Sequence, residues 1–228
     1  MNENIKDYFR GSKNPLNLVR SLRFDTAFYQ ANPDYFNPCG IWVFCGAQGS
    51  GKTLSAVKCL KKLVKEYPKA KVCTNLVIHD LPCEIIPFTQ YEQLLTLTNG
   101  IEGIIFLIDE IHVLWNSLES KSIPIQEMAI FAQMRKDRRI ILGTSQVYGR
   151  IAKPIREQLR YVIKCRNIFK YIQINDIIDP NADGYTGENE GHLDGEIVYR
   201  SIFFHSPADY QAYDTLNKIE RIDRKGVL

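Results

Sequence analysis

No uninterrupted apolar run in this chain approaches the ~18 residues of a membrane span, and its first residues, MNENIKDYFR, hold no signal-peptide core. Those two absences leave any membrane contact to a partner. The six cysteines form no C-x-x-C pair and have no zinc-like spacing with the four histidines. Several fall in apolar strand or helix patterns, which predicts buried, reduced thiols and a cytosolic compartment. There is little excess charge: the net value of +3 does not by itself imply a nucleic-acid partner. No internal repeat is visible, and the aspartates of 175–194 lack the spacing of a calcium loop. What is present suits a globular protein. Apolar residues make up 45% of the 228, enough for one α/β domain with a small appendage.

The informative stretch is Ile41 to Thr53, IWVFCGAQGSGKT. A short apolar strand runs into Gly46, Ala47, Gln48, Gly49, Ser50, Gly51, Lys52 and Thr53, which fits G-x-x-x-x-G-K-[ST], and Leu54 follows inside a helix expected over 52–66. The glycines let successive backbone N–H groups turn inward onto phosphate oxygens, and the helix start adds its positive dipole end. Lys52 is expected to reach the β- and γ-phosphates of a nucleoside triphosphate, with the Thr53 hydroxyl on Mg²⁺.

A second apolar run, IIFLIDE from Ile104 to Glu110, ends in two carboxylates. Such a run reads as a central parallel strand with its acidic tip at the carboxyl edge, where the phosphate loop also lies. Asp109 is expected to hold the Mg²⁺ shell and Glu110 to polarise the attacking water. Asp-Glu at a strand tip favours ATP hydrolysis over a P-loop kinase. The nearest string to a guanine-reading N-K-x-D, Asn217 to Glu220, lacks the aspartate, so ATP is the expected nucleotide. Strands are also expected at 71–77 and around Ile140 to Leu142, the latter with the polar tip Thr144-Ser145-Gln146. That strand is expected between the other two, with Gln146 as a sensor of the γ-phosphate or water. His112 reads as a packed loop histidine.

Other segments are read more coarsely. Residues 1–40 form an arm, with a short helix at 4–9 and irregular chain at 30–40. A helix covers 125–135, with Ile125, Met128, Ala129 and Ala132 on one face. Ile168 to Ile174 and Ile197 to Phe204 form an antiparallel pair, followed by a helical segment at 206–223. The domain division expected is 1–40, 41–167 and 168–228, the last an extension of the core.

Positive charge gathers from Arg135 to Lys170, where eleven basic residues face only Asp137 and Glu157. The band flanks the sensor strand and is therefore expected on the nucleotide-proximal edge. It suits arginine fingers acting on a neighbour's ATP, or contacts to nucleic-acid backbone without base reading.

Taken together, GAQGSGKT, VCTN, IIFLIDEIH and GTSQ followed by IAKPIREQLRYVIKC resemble the FtsK/HerA branch of RecA-like ATPases. Within it, they look like the Zot-like morphogenesis proteins of filamentous phages and the genome-packaging ATPases of tailless, membrane-containing phages. The resemblance spans roughly Ile41 to Arg166. It implies a RecA-like α/β core with a parallel sheet, extended by a C-terminal β-hairpin and helix. It further implies an ATP- and Mg²⁺-dependent motor that moves double-stranded DNA, working as a homo-oligomeric ring (a hexamer among the sizes allowed) with capsid, portal or membrane partners. Arg156 or Arg160, and Arg135 or Arg138, become the finger candidates. Zot-like proteins usually carry a transmembrane segment and a further domain; their absence here favours packaging over extrusion.

Overall fold

The structure, a computed structural model, describes residues 14–118, 125–180 and 196–214; the helix expected at 4–9 lies outside them. The chain divides into two units, 1–35 and 36–228. In the first, Pro15–Ala31 forms helix α1 where the sequence suggested only a mixed segment. Asn14 caps it by accepting a 3.0 Å bond from the Leu16 N–H, and Pro15 fits the first helical position, where no N–H is needed. None of its residues is buried, and its end is braced by edge-on rings of Phe28, Tyr29 and Tyr35. Because apolar and polar residues are mixed round its whole surface, no helical stripe announces it in the sequence.

The second unit is built on one eight-stranded sheet in the order β3-β2-β4-β5-β1-β6-β7-β8. The strands are β1 Gly40–Cys45, β2 Lys71–Thr74, β3 Ile85–Pro87, β4 Ile104–Ile108, β5 Arg139–Ser145, β6 Leu159–Ile168, β7 Ile172–Ile178 and β8 Ile197–Phe204. The strands from β3 to β6 run parallel, while β7 and β8 are added antiparallel. β5 lies between β1 and β4, as the sequence suggested. The helices are α2 Lys52–Glu66, α3 Glu92–Thr96, α4 Ile125–Ala132, α5 Lys153–Arg156 and α6 Pro207–Tyr210.

Alternation along the central strands divides the core into two layers. Ile104, Phe106 and Ile108 pack on one face with Trp115, Phe131 and Ile155. Ile105 and Leu107 pack on the other with Val57, Leu60 and Val64 of α2. Being covered on both faces explains why β4 reads as a continuous apolar run. The register Cys45↔Ser145 and Ile108↔Gly143 brings the ends of β1, β5 and β4 to one level. The phosphate loop, the acidic pair and the polar tip therefore meet at the carboxyl edge.

Several expectations are corrected. The connector at 81–87 contains edge strand β3, short enough for Pro87 to end it without leaving an unmet ladder bond. Among the described side chains of α4, Glu127 and Phe131 are buried, whereas Ala129 and Ala132 are exposed. The Glu127 carboxylate is satisfied by the Tyr91 hydroxyl at 2.6 Å. The strand expected at 168–174 is β7, which runs on to Ile178 and is flanked on both sides in the sheet. The final helix described is only Pro207–Tyr210, held by a capping box between Ser206 and Asp209; residues beyond 214 lie outside the description.

Candidate nucleotide-binding site

The loop from Gly46 to Gly51 joins β1 to α2. Gly51 is the N-cap of α2 with φ +80°, and no side chain caps the helix there. The first-turn N–H groups are thus left for an anion, with the dipole of a 15-residue helix behind them. Gly46 admits no side chain for a second reason: a Cβ there would come within 2.7 Å of the Cys165 carbonyl. Lys52 is buried, and its ammonium donates to the Ala47 carbonyl at 3.1 Å, which fixes the charge over the loop.

The Thr53 hydroxyl donates to Asp109 Oδ1 at 3.0 Å. The helix start and the β4 tip, 56 residues apart in sequence, are joined by this bond. Two hard oxygens converge here, the donor chemistry that Mg²⁺ takes when it keeps most of its waters. The same Asp109 oxygen accepts a 2.6 Å bond from Thr144 on β5, whose Oγ1 in turn accepts the Glu110 N–H at 2.9 Å. At the tip of β2, Asn75 closes a two-point clamp on the Asp109 backbone, donating at 3.2 Å and accepting at 2.9 Å.

Glu110 sits in the left-handed region, φ +55° and ψ +45°, which a non-glycine residue adopts only where its surroundings impose it. The imposing contacts are its N–H to Thr144 and its carboxylate contacts. Gln146 Nε2 approaches Glu110 Oε1 at 3.4 Å. His112 Nδ1 lies 3.2 Å from Glu110 Oε2 but outside hydrogen-bond geometry, so that buried oxygen makes no hydrogen bond. Burial lowers the His112 pKa below its ordinary 6.5, outweighing the upward pull of Glu110; the imidazole is neutral at neutral pH. His112 also lies 3.4 Å from Ser145 Oγ. It packs against the acidic pair, closer to the chemistry than a loop histidine need be.

Lys52, Thr53, Asp109, Glu110 and Gln146 are thus brought to one edge. Of the finger candidates, Arg135, Arg138 and Arg160 are not. Arg138 and Arg139 sit at the start of β5, and Arg160 packs beside Gly40 at the start of β1. That edge lies about 17 Å of strand below the phosphate loop. Placing the whole basic band on the nucleotide edge is therefore corrected: proximity in sequence to a strand does not say which end of it a residue flanks. Arg139 is buried and donates to the carbonyls of Leu94 and Leu95, and Arg138 donates to the Phe36 carbonyl. Arg135 and Arg160 line one cavity of about 460 Å³ with Trp42, Tyr67 and Tyr161. Arg156, on α5, lies 5.4 Å from the Tyr148 ring. Arg150 follows the β5 tip and is near enough to lower the His112 pKa. Sequence reasoning assigned no role to Thr144 or Asn75, for which the GTSQ and VCTN strings carried the signal, and took Arg150 only as one member of the basic band.

The cysteines Cys45, Cys73 and Cys165 are buried free thiols, and burial pushes each pKa up to about 12.

No family model matches this sequence, and no curated protein matches it. Solved structures do match in fold. The N-terminal domain of zonular occludens toxin from Neisseria meningitidis is 17% identical, with a TM-score of 0.51 over 77% of this chain and 98% of that one. The genome packaging NTPase of Sulfolobus turreted icosahedral virus 2, in complex with ATP-gammaS, is 13% identical, with a TM-score of 0.48 over 77% and 98%. A flagellar accessory protein from Methanocaldococcus jannaschii is 11% identical, with a TM-score of 0.43 over 61% and 78%. The first of these shows that the chain has the RecA-like P-loop fold read from its sequence.

Proposed function

We propose that this chain is an ATP-hydrolysing motor that moves viral double-stranded DNA into a capsid, without sequence preference and as a homo-oligomeric ring. The observation that carries the ATPase part is the single hydrogen-bonded cluster joining Thr53, Asp109, Thr144 and Glu110 beside a phosphate loop with an uncapped helix start.

In this reading the backbone N–H groups of 46–53 and the Lys52 ammonium take the triphosphate. Thr53 and Asp109 would hold Mg²⁺, which would supply charge neutralisation on the phosphates. Glu110 receives the proton of the attacking water, its backbone held in the left-handed region just past the β4 tip. Gln146 restrains that carboxylate and stands where it can read the γ-phosphate. Arg156, Arg160, Arg135 and Arg138 remain the finger candidates toward a neighbour's nucleotide. Those on the amino edge require a neighbouring site to face that edge.

The resemblance to packaging ATPases and the exposed basic residues Arg150, Lys153 and Lys164 support DNA as the cargo. A second reading is a Zot-like assembly or extrusion ATPase that does not translocate DNA. It is favoured by exposed apolar residues at the C-terminal strands, Phe169 at 84%, Tyr171 at 66% and Phe204 at 73%, which suit a protein partner. Capsid, portal or membrane proteins are the partner classes, and virion or host cytoplasm the setting. Among the described residues no helix is long and apolar enough to cross a membrane.

The test is steady-state ATP hydrolysis with and without double-stranded DNA, beside Glu110→Gln and Lys52→Ala. Glu110→Gln should keep nucleotide binding and lose about 10²–10⁴ in turnover, while Lys52→Ala should lose binding itself. Full turnover in Glu110→Gln would remove the hydrolytic reading.

A further inference from the structure

The phosphate loop is bordered on two sides, and only one carries the chemistry described so far. Sheet order puts β5 and β4, with Thr144, Gln146 and the acidic pair, on one side of β1, and β6 and β7 on the other. On that second side a buried polar chain runs to the loop. Gln173 of β7 is fully buried; one amide N–H donates to the Ser50 carbonyl at 2.9 Å and the other to Asn175 Oδ1 at 3.0 Å. Asn175 Oδ1 also accepts the hydroxyl of Ser55 on α2 at 3.1 Å. Gln173 therefore touches the loop and, through Asn175, the helix whose N-terminus faces the phosphates. Its Oε1 packs where a Gly51 side chain would project, so any side chain at Gly51 would collide with it.

Gln173 is itself held from outside. His205 Nε2 lies 3.3 Å from Gln173 Oε1, and His205 Nδ1 lies 2.7 Å from the Tyr210 hydroxyl. A neutral imidazole that donates its Nε2–H to Gln173 accepts at Nδ1 from the Tyr210 hydroxyl, which also lies 3.2 Å from the Lys170 carbonyl at the β6–β7 turn, where Phe169 and Lys170 both have positive φ. β6 pairs with the end of β1 at Lys164 and continues to Ile168, so the turn stands roughly 13 Å beyond the strand that delivers the phosphate loop.

We infer that Gln173 is a positioning residue for nucleotide binding: it fixes the Ser50–Gly51 peptide in its phosphate-receiving orientation, and His205 and Tyr210 fix Gln173. The inference rests on the nucleotide-binding reading above. Without Gln173, the Ser50 carbonyl loses a buried partner and the peptide is free to rotate. Its Gly51 N–H then spends less time facing the β-phosphate. ADP and ATP share that phosphate, so both should weaken by the same factor, and turnover at saturation should be kept.

The experiment is binding of fluorescent Mg·ADP and Mg·ATP analogues to the full chain, to Gln173→Leu and to His205→Phe. Each is measured well below its own thermal midpoint, with KM and kcat for ATP alongside. Loss of one hydrogen bond at the loop predicts roughly tenfold weaker binding of both nucleotides for Gln173→Leu and roughly threefold for His205→Phe, with KM raised and kcat retained. Unchanged affinity in both variants, with only the thermal midpoint lowered, overturns the inference and leaves Gln173 a packing residue. Should Gln173→Leu not fold, His205→Phe, which is partly exposed, decides by the same two outcomes. A wild-type chain that binds neither nucleotide overturns the nucleotide reading and this inference with it.

Discussion

Thr144 makes the acidic pair a unit, since its hydroxyl donates to the Asp109 carboxylate and accepts the Glu110 N–H. Valine has the same shape and neither function. Thr144→Val should lower kcat by roughly tenfold with nucleotide affinity nearly kept, whereas Thr144→Ser should retain most activity; a kcat and KM comparison checks this. His112 gives a pH prediction at the same scale. Its folded pKa is lowered mainly by burial, so the unfolded chain takes up the proton first as pH falls below about 6.5. The folded state loses stability through that window and regains it as pH rises. Thermal melts of His112→Gln across the window should show a shallower slope than wild type. Lys52, Thr53, Asp109 and Glu110 were legible in the sequence because loop spacing and strand tip fix them locally. Thr144, Asn75 and Gln173 were not, because their roles come from hydrogen bonds between strands far apart in the chain.

Among the elements, the apolar ones announced themselves. β1, β4 and β5 lie in the doubly covered middle of the sheet, and α2 has the spacing of a one-faced helix. Leu60 at its centre is fully buried, and Leu60→Ala should cost about 2–5 kcal/mol in a denaturant titration. β7 was read only as far as Ile174, because Asn175 and Asp176 look like the start of a polar loop; in the structure Gln173, Asn175 and Asp176 are all buried in the strand. Besides the bond between Gln173 and Asn175, their partners come from elsewhere in the fold: the phosphate loop, Ser55, and for Asp176 the guanidinium groups of Arg166 and Arg200. Burial pushes the Asp176 pKa up, but the two arginines more than reverse this and hold it below 3.8. A lowered carboxylate pKa gives stability that is present above the unfolded value and is lost as pH falls through the folded one. Asp176→Asn should therefore melt lower than wild type at neutral pH and approach it as pH falls below 3.8 and through the lowered folded value; melts at several pH values measure the convergence.

For the whole molecule, the sheet has a phosphate-loop edge and an opposite edge, and the basic band is divided between them. Arg150 follows the β5 tip, while Arg135 and Arg160 share a cavity about a strand's length away. A charge count along the sequence sees one band; the fold makes two surfaces. In a ring, such a division lets one face serve nucleotide exchange and another serve a neighbour or a cargo. Contacts of this kind to DNA backbone are salt-sensitive, so stimulation of hydrolysis by DNA should fall steeply as salt rises. The decisive measurement is displacement of a triplex-forming oligonucleotide from linear double-stranded DNA by the purified chain with Mg·ATP, beside Glu110→Gln. The account predicts displacement that needs ATP, fails in Glu110→Gln and is delayed in proportion to the distance from the entry end. Vigorous, Glu110-dependent hydrolysis with the triplex left in place would contradict translocation and leave the assembly ATPase.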